Sequence, residues 1–274
     1  MLENTLKVTK VALLPTQAEL PYDDGIPMES QRHKTQMELL IDVISIWLEG
    51  RSDGYVGGNM FVYYSLEQVK NKDWSGPDFF VVLGVPKKER LSWVVWEEGK
   101  VPDVVIELLS ESTAYTDKNE KKLIYQNQLQ VPEYFWFDPF NPQDLAGFSL
   151  QNANYQPLEF NEQNQLISRA LNLALVRWPG EYKGINTTWL RWATSSGELL
   201  PNAEEIALQE KQRADAEKQR AQEEKQRADA EKQRADLAES KLRQTARNLL
   251  QEGMTIQQVA SLTGLSEMQI NQLN

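Results

Sequence analysis

Apolar residues recur three and four positions apart over residues 31–49, and this spacing predicts an amphipathic helix with one buried face. Shorter apolar runs follow, and each is bounded by proline, glycine or polar residues, as strands are. These runs predict strands at residues 59–64, 78–83, 103–109 and 134–138, with a polar loop over 84–100 and a helix over 117–129. The strand, helix and strand that end this order predict a parallel pair joined by a crossover.

The chain after about Ala203 has a different pattern, in which four heptads of the type EKQRADA repeat almost unchanged from Glu210. Alanine is the main regular apolar residue of the repeat, so the apolar seam of the predicted helix is thin. Two interpretations fit this pattern. One is a single solvated helix held by charge pairs three and four residues apart, and the other is a weak coiled coil that makes the chain a homodimer.

The last segment, residues 244–274, is predicted to form a small unit similar to a helix-turn-helix. Its two capping boxes and the glycine between them are Thr255 with Gln258, Gly264, and Ser266 with Gln269. No lysine or arginine follows Arg247, so the second helix lacks the cations that bind phosphates. Contact with a protein partner is therefore favoured over recognition of DNA, and both interpretations stay open.

Composition limits the kinds of site that the chain can carry. It has no cysteine and a single histidine, His33, which excludes disulfides, thiolate zinc sites and multi-histidine metal clusters. A metal ion would therefore be held by oxygen ligands, which favours Mg²⁺, Mn²⁺ or Ca²⁺. The formal net charge of −11 counts against strong nonspecific affinity for DNA.

The chain is expected to be a cytoplasmic protein without a membrane segment. Its N-terminal stretch lacks the apolar run of a signal peptide, and no apolar stretch approaches the ~20 residues that cross a bilayer. The last aromatic residue is Trp192, so the globular part is expected to end near Gly197.

Two acidic residues lie near the ends of predicted strands. Asp78 begins one strand, and Glu107 lies inside the apolar run VVIELL of the next. If these strands pair antiparallel, opposed side chains project from the same face about 5 Å apart. Two carboxylates at that distance repel each other unless a cation lies between them, and the carbonyl of Leu108 could supply a further oxygen. The pattern predicts a divalent-metal site, whereas capping or solvation at a strand end is the alternative for Asp78 alone.

Lys121 and His33 are the candidate basic groups. Lys121 lies four residues from both Asp117 and Tyr125, so the three share one face of the predicted helix. An ammonium there can orient an attacking water or offset charge that develops on a phosphate, and the alternative is a surface lysine paired with Asp117. The neighbouring Lys122 is expected to face solvent. His33, at the start of the first helix, either contacts a substrate phosphate or makes a local hydrogen bond.

Together these motifs resemble one family. They are Pro77-Asp78, the run PDVVIELLS from Pro102, Ser112-Thr113, Asp117, Lys121, Tyr125 and the run VPEY from Val131. In this order, between Pro27 and Asp138, they resemble the Uma-two family of restriction-endonuclease-like proteins, a branch of the PD-(D/E)XK nuclease superfamily. The resemblance implies an α/β restriction-endonuclease-like core, a mixed sheet flanked by helices, that hydrolyses DNA phosphodiester bonds with Mg²⁺ or Mn²⁺.

The resemblance also implies the roles of individual residues. Asp78 matches the first acid and Glu107 the second, and both are then catalytic residues and, with Leu108, metal ligands. The chain departs from the superfamily at Leu109, where lysine is usual. In the resembling family the basic role passes to the following helix, where Lys121 stands.

The chain is predicted to consist of three segments. The segments are a nuclease domain at residues 1–197, a charged heptad helix at 203–243 and the small helical unit at 244–274, which also resembles a C-terminal unit of some nuclease-like proteins of mobile elements.

DNA is the implied substrate. The alternative function is a nuclease-fold module without turnover that associates with DNA or acts as a regulatory, protein-interaction module. A third is a scaffold whose charged helix and C-terminal unit recruit a protein partner.

Overall fold

The computed structural model describes residues 14–22, 30–71 and 76–273. The chain divides into two compact units, the first ending at Ile206 and the second beginning at Ala207. Residues 1–13, on which the signal-peptide prediction largely rests, and Pro27 at the start of the family-like segment lie outside the described part. In the described ranges, no helix is both long and apolar enough to cross a membrane.

The described strands all belong to the first unit. They are β1 (Tyr55–Gly57), β2 (Val62–Tyr63), β3 (Phe79–Val82), β4 (Trp93–Val94), β5 (Val104–Leu108), β6 (Glu133–Phe137), β7 (Leu145–Gln151), β8 (Asn154–Pro157), β9 (Leu166–Ser168), β10 (Leu173–Tyr182) and β11 (Ile185–Thr194). The principal sheet has the order β1-β3-β5-β6-β7-β8. Within it β5 and β6 are parallel, and the other neighbours are antiparallel. Strands β9 to β11 form an antiparallel sheet, and β2 pairs with β4.

Three helical segments accompany these strands. They are α1 (Gln31–Glu49), α2 (Leu66–Asn71) and α3 (Val95–Glu98). A further segment, residues 114–129, is called the site helix below. It alternates α4 (Ala114–Thr116), a π-helical turn (Asp117–Lys121), α5 (Lys122–Ile124) and a second π-helical turn (Tyr125–Leu129).

Apolar layers cover both faces of the principal sheet. On one face, α1 and the sheet of β9 to β11 pack on residues such as Ile106 and Phe135. On the other face, Tyr125 and Leu129 of the site helix pack on Val105 and its neighbours. Because both faces are covered, every residue of β5 is buried. A charged side chain on β5 is therefore held inside the protein.

The hydrophobic pattern predicts most of this architecture. The first helix has its predicted bounds, and Ser30 caps it by accepting a hydrogen bond from the His33 backbone N–H at 3.2 Å. The antiparallel pair β3–β5 and the parallel pair β5–β6 are both confirmed. The strand predicted at 59–64 is wrong in length, because only Val62–Tyr63 pairs with another strand.

Two regions differ from the predictions for a physical reason. The segment 84–100 is not a simple polar loop, because Trp93 and Val94 form β4 and are buried. Strand β1 and helix α2 have no counterpart among the predicted elements. β1 has only three residues and ends at Gly57. A strand of that length is too short to show the alternation of apolar and polar residues by which strands are predicted.

Arg191 extends the first unit beyond the predicted boundary at Gly197. Its guanidinium is fully buried and donates to both carboxylate oxygens of Glu205, at 2.8 and 2.7 Å, and to the carbonyl of Leu200 at 2.8 Å. Glu205 lies in the first turn of the next helix, α6 (Ala203–Gln251). The start of α6 therefore belongs to the first unit, which ends at Ile206.

The second unit contains the rest of α6 together with α7 (Ile256–Thr263) and α8 (Glu267–Asn271). All residues from 207 to 241 are exposed, and Glu239 pairs with Arg243 at 2.7 Å on the helix surface. Both predicted capping boxes are observed, and Gly264 ends α7 with a φ of 74°. The small core of this unit is Ala246, Val259, Leu265 and Ile270.

Candidate active site

The antiparallel pair β3–β5 brings the two predicted acids together. Its register pairs Phe79 with Ile106, and one further step along both strands places Asp78 opposite Glu107. The backbone N–H of Asp78 points to Glu107 Oε2 at a long distance of 3.4 Å. Asp78 Oδ2 accepts a 2.7 Å hydrogen bond from the backbone N–H of Leu108. The two carboxyl groups therefore lie side by side where β3 begins and β5 ends.

Glu107 is the most deeply enclosed of these groups, with no exposed surface. It projects from the face of β5 that the site helix covers, where Val105 also lies. Tyr125 Oη donates to Glu107 Oε1 at 2.7 Å, and Lys121 Nζ donates to Oε2 at 3.1 Å. Since a buried carboxylate without partners is costly, these two donors allow Glu107 to occupy the interior.

The site helix carries the donors on one face. Lys121 Nζ also lies 2.8 Å from Asp117 Oδ1, and the Asp117 side chain is only 1% exposed. Tyr134 Oη from β6 donates to the backbone carbonyl of Asp117 at 2.8 Å, which fixes the first π-helical turn against the sheet. π-Helical turns are rare in proteins, and those that do occur are frequently found at functional sites. Asp117, Lys121 and Tyr125 thus share the helix face that their spacing predicts.

The ionisation of these groups is interdependent. Burial raises the pKa of Glu107 well above its ordinary value, and the charges of Asp78 and Asp117 raise it further, while the charge of Lys121 opposes the rise. Burial also raises the pKa of Asp78. For Lys121, burial lowers the pKa, but the three carboxylates outweigh burial and raise it above its ordinary value. Burial raises the pKa of Tyr125 well above its ordinary value, so its hydroxyl remains a donor. One ammonium therefore serves three carboxyl groups.

Gly58 determines how closely the chain approaches Asp78. A Cβ atom on Gly58 would lie 2.5 Å from the backbone oxygen of Asp78 and 2.6 Å from Ile41 Cδ1. The next residue, Asn59, donates its backbone N–H to the carbonyl of Pro77 at 3.1 Å. The turn after β1 consequently packs directly on the backbone that carries the first acid, and a side chain at position 58 would displace one or the other.

His33 connects α1 with the residue that follows β5. Its Nε2 lies 2.8 Å from the carbonyl oxygen of Leu109, and its Nδ1 lies 2.8 Å from Ser30 Oγ. Because a carbonyl only accepts, Nε2 carries a proton and donates to Leu109. The local hydrogen bond, one of the two interpretations of His33, is therefore observed. The phosphate contact stays a prediction.

The structure adds two residues to those predicted and corrects one expectation. Tyr125 contacts Glu107, and Asp117 contacts Lys121. The signal in the sequence that indicates both residues is their spacing of four from Lys121. Lys122 does not simply face solvent, because its Nζ lies 3.5 Å from the centre of the Phe148 ring. Burial lowers the pKa of Lys122.

The donor atoms of the site fit a hard divalent cation. Among the residues that the structure describes, no group of three or more histidine, aspartate or glutamate side chains is arranged to hold a metal ion. The carboxyl groups of Asp78 and Glu107, which lie side by side, instead provide a small set of oxygen donors. Mg²⁺ is commonly bound by one or two carboxylates and keeps several waters. The excess of carboxyl groups over ammonium groups at the site is consistent with such an ion.

Comparisons with known proteins show which family the chain belongs to. Residues 12–178, more than half of the chain, match the Uma2 family, described as "Putative restriction endonuclease", and residues 239–274 match the C-terminal helix-turn-helix domain of the Rpn/YhgA-like nuclease family. A crystal structure described as a "putative nuclease belonging to DUF820" from Anabaena variabilis ATCC 29413 is 18% identical, with a TM-score of 0.38 over 64% of this chain and 95% of that one. No curated protein matches the chain. With an acid pair and a helix-borne lysine inside the matched segment, the chain belongs to the Uma2 family of restriction-endonuclease-like proteins.

Proposed function

We propose that the chain is a divalent-metal-dependent endonuclease that hydrolyses DNA phosphodiester bonds at Asp78, Glu107 and Lys121. The observation that carries the proposal is the largely buried cluster of one ammonium and three carboxyl groups at the end of β5. A salt bridge that only stabilised the fold would not need the two extra carboxyl groups. Family membership supports the reaction class, since the matching family is one of restriction-endonuclease-like proteins.

Each residue has a distinct role in this proposal. Asp78, Glu107 and the carbonyl of Leu108 would hold Mg²⁺ or Mn²⁺, which supplies Lewis-acid polarisation of the phosphate and a bound water of lowered pKa. Lys121 keeps its proton, since the carboxylates raise its pKa, and so presents a positive charge to the phosphate. Tyr125 holds one oxygen of Glu107 and thereby orients the other toward Lys121.

Plasmid cleavage by the purified full chain tests the proposal. Supercoiled DNA should be nicked or linearised with Mg²⁺ or Mn²⁺, and EDTA should stop the reaction. Glu107→Gln keeps the size of the side chain but removes a negative charge from the metal site. Its metal affinity should fall, and cleavage should drop by about a hundredfold or more.

Glu133→Gln is the matched control, because Glu133 is also a buried glutamate on a strand next to β5. It accepts hydrogen bonds from Ser168 Oγ and the backbone of Arg169, and burial raises its pKa. Thermal unfolding measures what fraction of this variant is folded. Per folded molecule, the variant should cleave DNA like the parent. Parental cleavage by Glu107→Gln would mean that the acids are structural and would refute the enzyme.

A module without turnover is the second candidate function. It is favoured by Leu109, which stands where the superfamily has lysine, and by the net charge of −11. The same experiment separates the two candidates. A parent protein that binds DNA at low salt in a gel-shift assay, yet leaves plasmid intact with both metals, would be such a module.

The C-terminal unit is proposed to contact a protein partner. Helices α7 and α8 carry no lysine or arginine, so they lack the phosphate contacts on which DNA affinity mainly depends. The exposed stretch 207–241 serves either as a single-helix spacer or as a coiled coil between two copies. Sedimentation of the full chain decides this point, because a monomer at high concentration excludes the coiled coil.

A further inference from the structure

A cavity of about 790 Å³ lies at the carboxyl ends of β5 and β6. Its lining consists of Ser30, His33, Ser110, Glu111, Ser112, Ala114, Asp138 and Phe140. This volume is within the ~300–1,000 Å³ typical of sites for small organic groups. Ser110 lies three residues beyond Glu107, so their Cα atoms are at most about 10 Å apart along an extended chain. A nucleic-acid strand at the acid pair therefore passes next to the cavity.

Phe140 is the unusual residue of the lining, because 57% of this large apolar residue is exposed. The Arg32 guanidinium carbon lies 4.3 Å from the centre of its ring, and the His33 ring centre lies 5.6 Å away. Asp138 Oδ1 accepts hydrogen bonds from the backbone N–H groups of Phe140 and Asn141, at 2.7 and 3.0 Å. The ring is thus held in place by its loop and is supported by a cation, yet it keeps an open surface.

The chemistry of the lining favours a base over a phosphate. Among the residues that the structure describes, no lysine or arginine lines the cavity, and Glu111 and Asp138 would repel an anion. Serine hydroxyls and carboxylates instead match the N–H groups and ring nitrogens on the edge of a nucleobase. An exposed aromatic ring is the surface on which unpaired bases stack in proteins that bind single strands.

We propose that this cavity holds one unpaired nucleobase of the substrate, stacked on Phe140 and hydrogen-bonded by Ser112. The inference rests on the proposed nuclease function and specifies its substrate class. A base inside a duplex cannot enter the cavity without leaving its partner. The preferred substrate is therefore single-stranded DNA or a duplex with an unpaired nucleotide near the cleaved bond.

Fluorescence of 2-aminopurine tests the site without requiring cleavage. The probe is a duplex with a single bulged 2-aminopurine, compared with the same duplex fully paired, and titrations are made in EDTA at low salt. The parent should change the emission of the bulged probe and bind it more tightly than the paired one. Phe140→Ala should weaken this binding by about tenfold or more, and Phe140→Trp should retain it.

Phe160→Ala is the matched control, because Phe160 is also exposed and has the Arg177 guanidinium 5.2 Å from its ring centre, but it does not line the cavity. It should behave like the parent, and thermal unfolding checks that each variant is folded. Equal binding of bulged and paired probes by the parent, parental binding by Phe140→Ala, or no binding at all would overturn the inference.

Cleavage assays with Mg²⁺ separate this inference from the proposed function. If the parent cleaves DNA but Phe140→Ala retains the same preference for bulged over paired substrate, the base site is wrong and the nuclease stands. If the parent cleaves neither substrate, the nuclease is wrong, and the fluorescence titrations still decide whether the cavity binds an unpaired base.

Discussion

The site helix and α6 are both rich in charge, and both place an acid and a base four residues apart. In the site helix, Lys121 pairs with Asp117, and their side chains are 22% and 1% exposed. In α6, Arg243 pairs with Glu239, and each side chain is 54% exposed. The spacing is the same, but only the first pair lies against the core. Burial, and not the pattern of charges, therefore distinguishes the candidate site from a solvated helix surface.

The energetic consequences of the two environments differ in kind. An exposed pair contributes about 0.2–1 kcal/mol, because water screens it and two flexible side chains must be ordered. A buried pair adds little net stability, yet removing one partner leaves a charge without compensation and costs several kcal/mol. In the first unit, burial raises the pKa values of Glu107 and Asp78, and the charge of Lys121 opposes that rise.

Lys121→Met should slow DNA cleavage by about a hundredfold or more, equivalent to ~2.7–4 kcal/mol in the barrier, because no charge then faces the phosphate. Metal binding, followed by calorimetry, should change little, since the acid pair is intact. Lys122→Met is the neighbouring control and should cleave normally, because Lys122 lies over Phe148. If Lys121→Met cleaves DNA normally, another residue has the basic role. If Lys122→Met loses cleavage, that residue is Lys122.

Glu205→Gln should lower the free energy of unfolding by about 2–3 kcal/mol. It leaves the buried guanidinium of Arg191 without its counter-ion, but Glu205 is 38% exposed, so the cost is below the ~3–5 kcal/mol of a fully buried pair. Glu239→Gln, which breaks the exposed pair of α6, should cost less than about 0.5 kcal/mol. Urea unfolding monitored by tryptophan fluorescence measures the first value, and helical circular dichroism the second. Equal costs would contradict the role assigned to burial.

The pH dependence of stability in EDTA should show the ionisation of Glu107. Its pKa in the folded protein is raised above the ordinary value of 4.5, so between these values the folded state binds more protons than the unfolded state. This group therefore makes the free energy of unfolding fall as pH rises above about 4.5. Glu107→Gln lacks that contribution and should give a flatter curve and equal or greater stability near pH 7. Parallel curves for the two proteins would show that Glu107 titrates normally.

The sequence predicts the acid pair well because strand periodicity and hydrophobicity determine both β3 and β5. Glu107 lies inside an apolar run, and such a run is buried on both faces whatever the details of the loops. The position of Asp78 then depends only on antiparallel pairing, which the structure confirms. The functional roles of these residues stay predictions until the proteins are assayed.

Other features depend on long-range contacts that local patterns do not contain. The pairing of Trp93 with the β2 strand converts an apparently polar loop into buried structure. The ion pair of Arg191 and Glu205 extends the first unit past Gly197, although nothing distinguishes Glu205 from the acids around it in sequence. The π-helical turns that carry Asp117 and Tyr125 cannot be predicted from the sequence pattern either. A spacing of three and four residues indicates a helix, but it does not distinguish a π-helical turn from an α-helical one.

The close packing of Gly58 on the backbone of Asp78 has a consequence for how this site can vary. Position 58 carries no functional group, yet a single methyl there would come within 2.5 Å of the Asp78 carbonyl oxygen. A library that randomised only residues bearing charges or hydroxyls would overlook it. Redesign of the candidate site therefore has to keep this position at glycine or rebuild the turn and the strand start together.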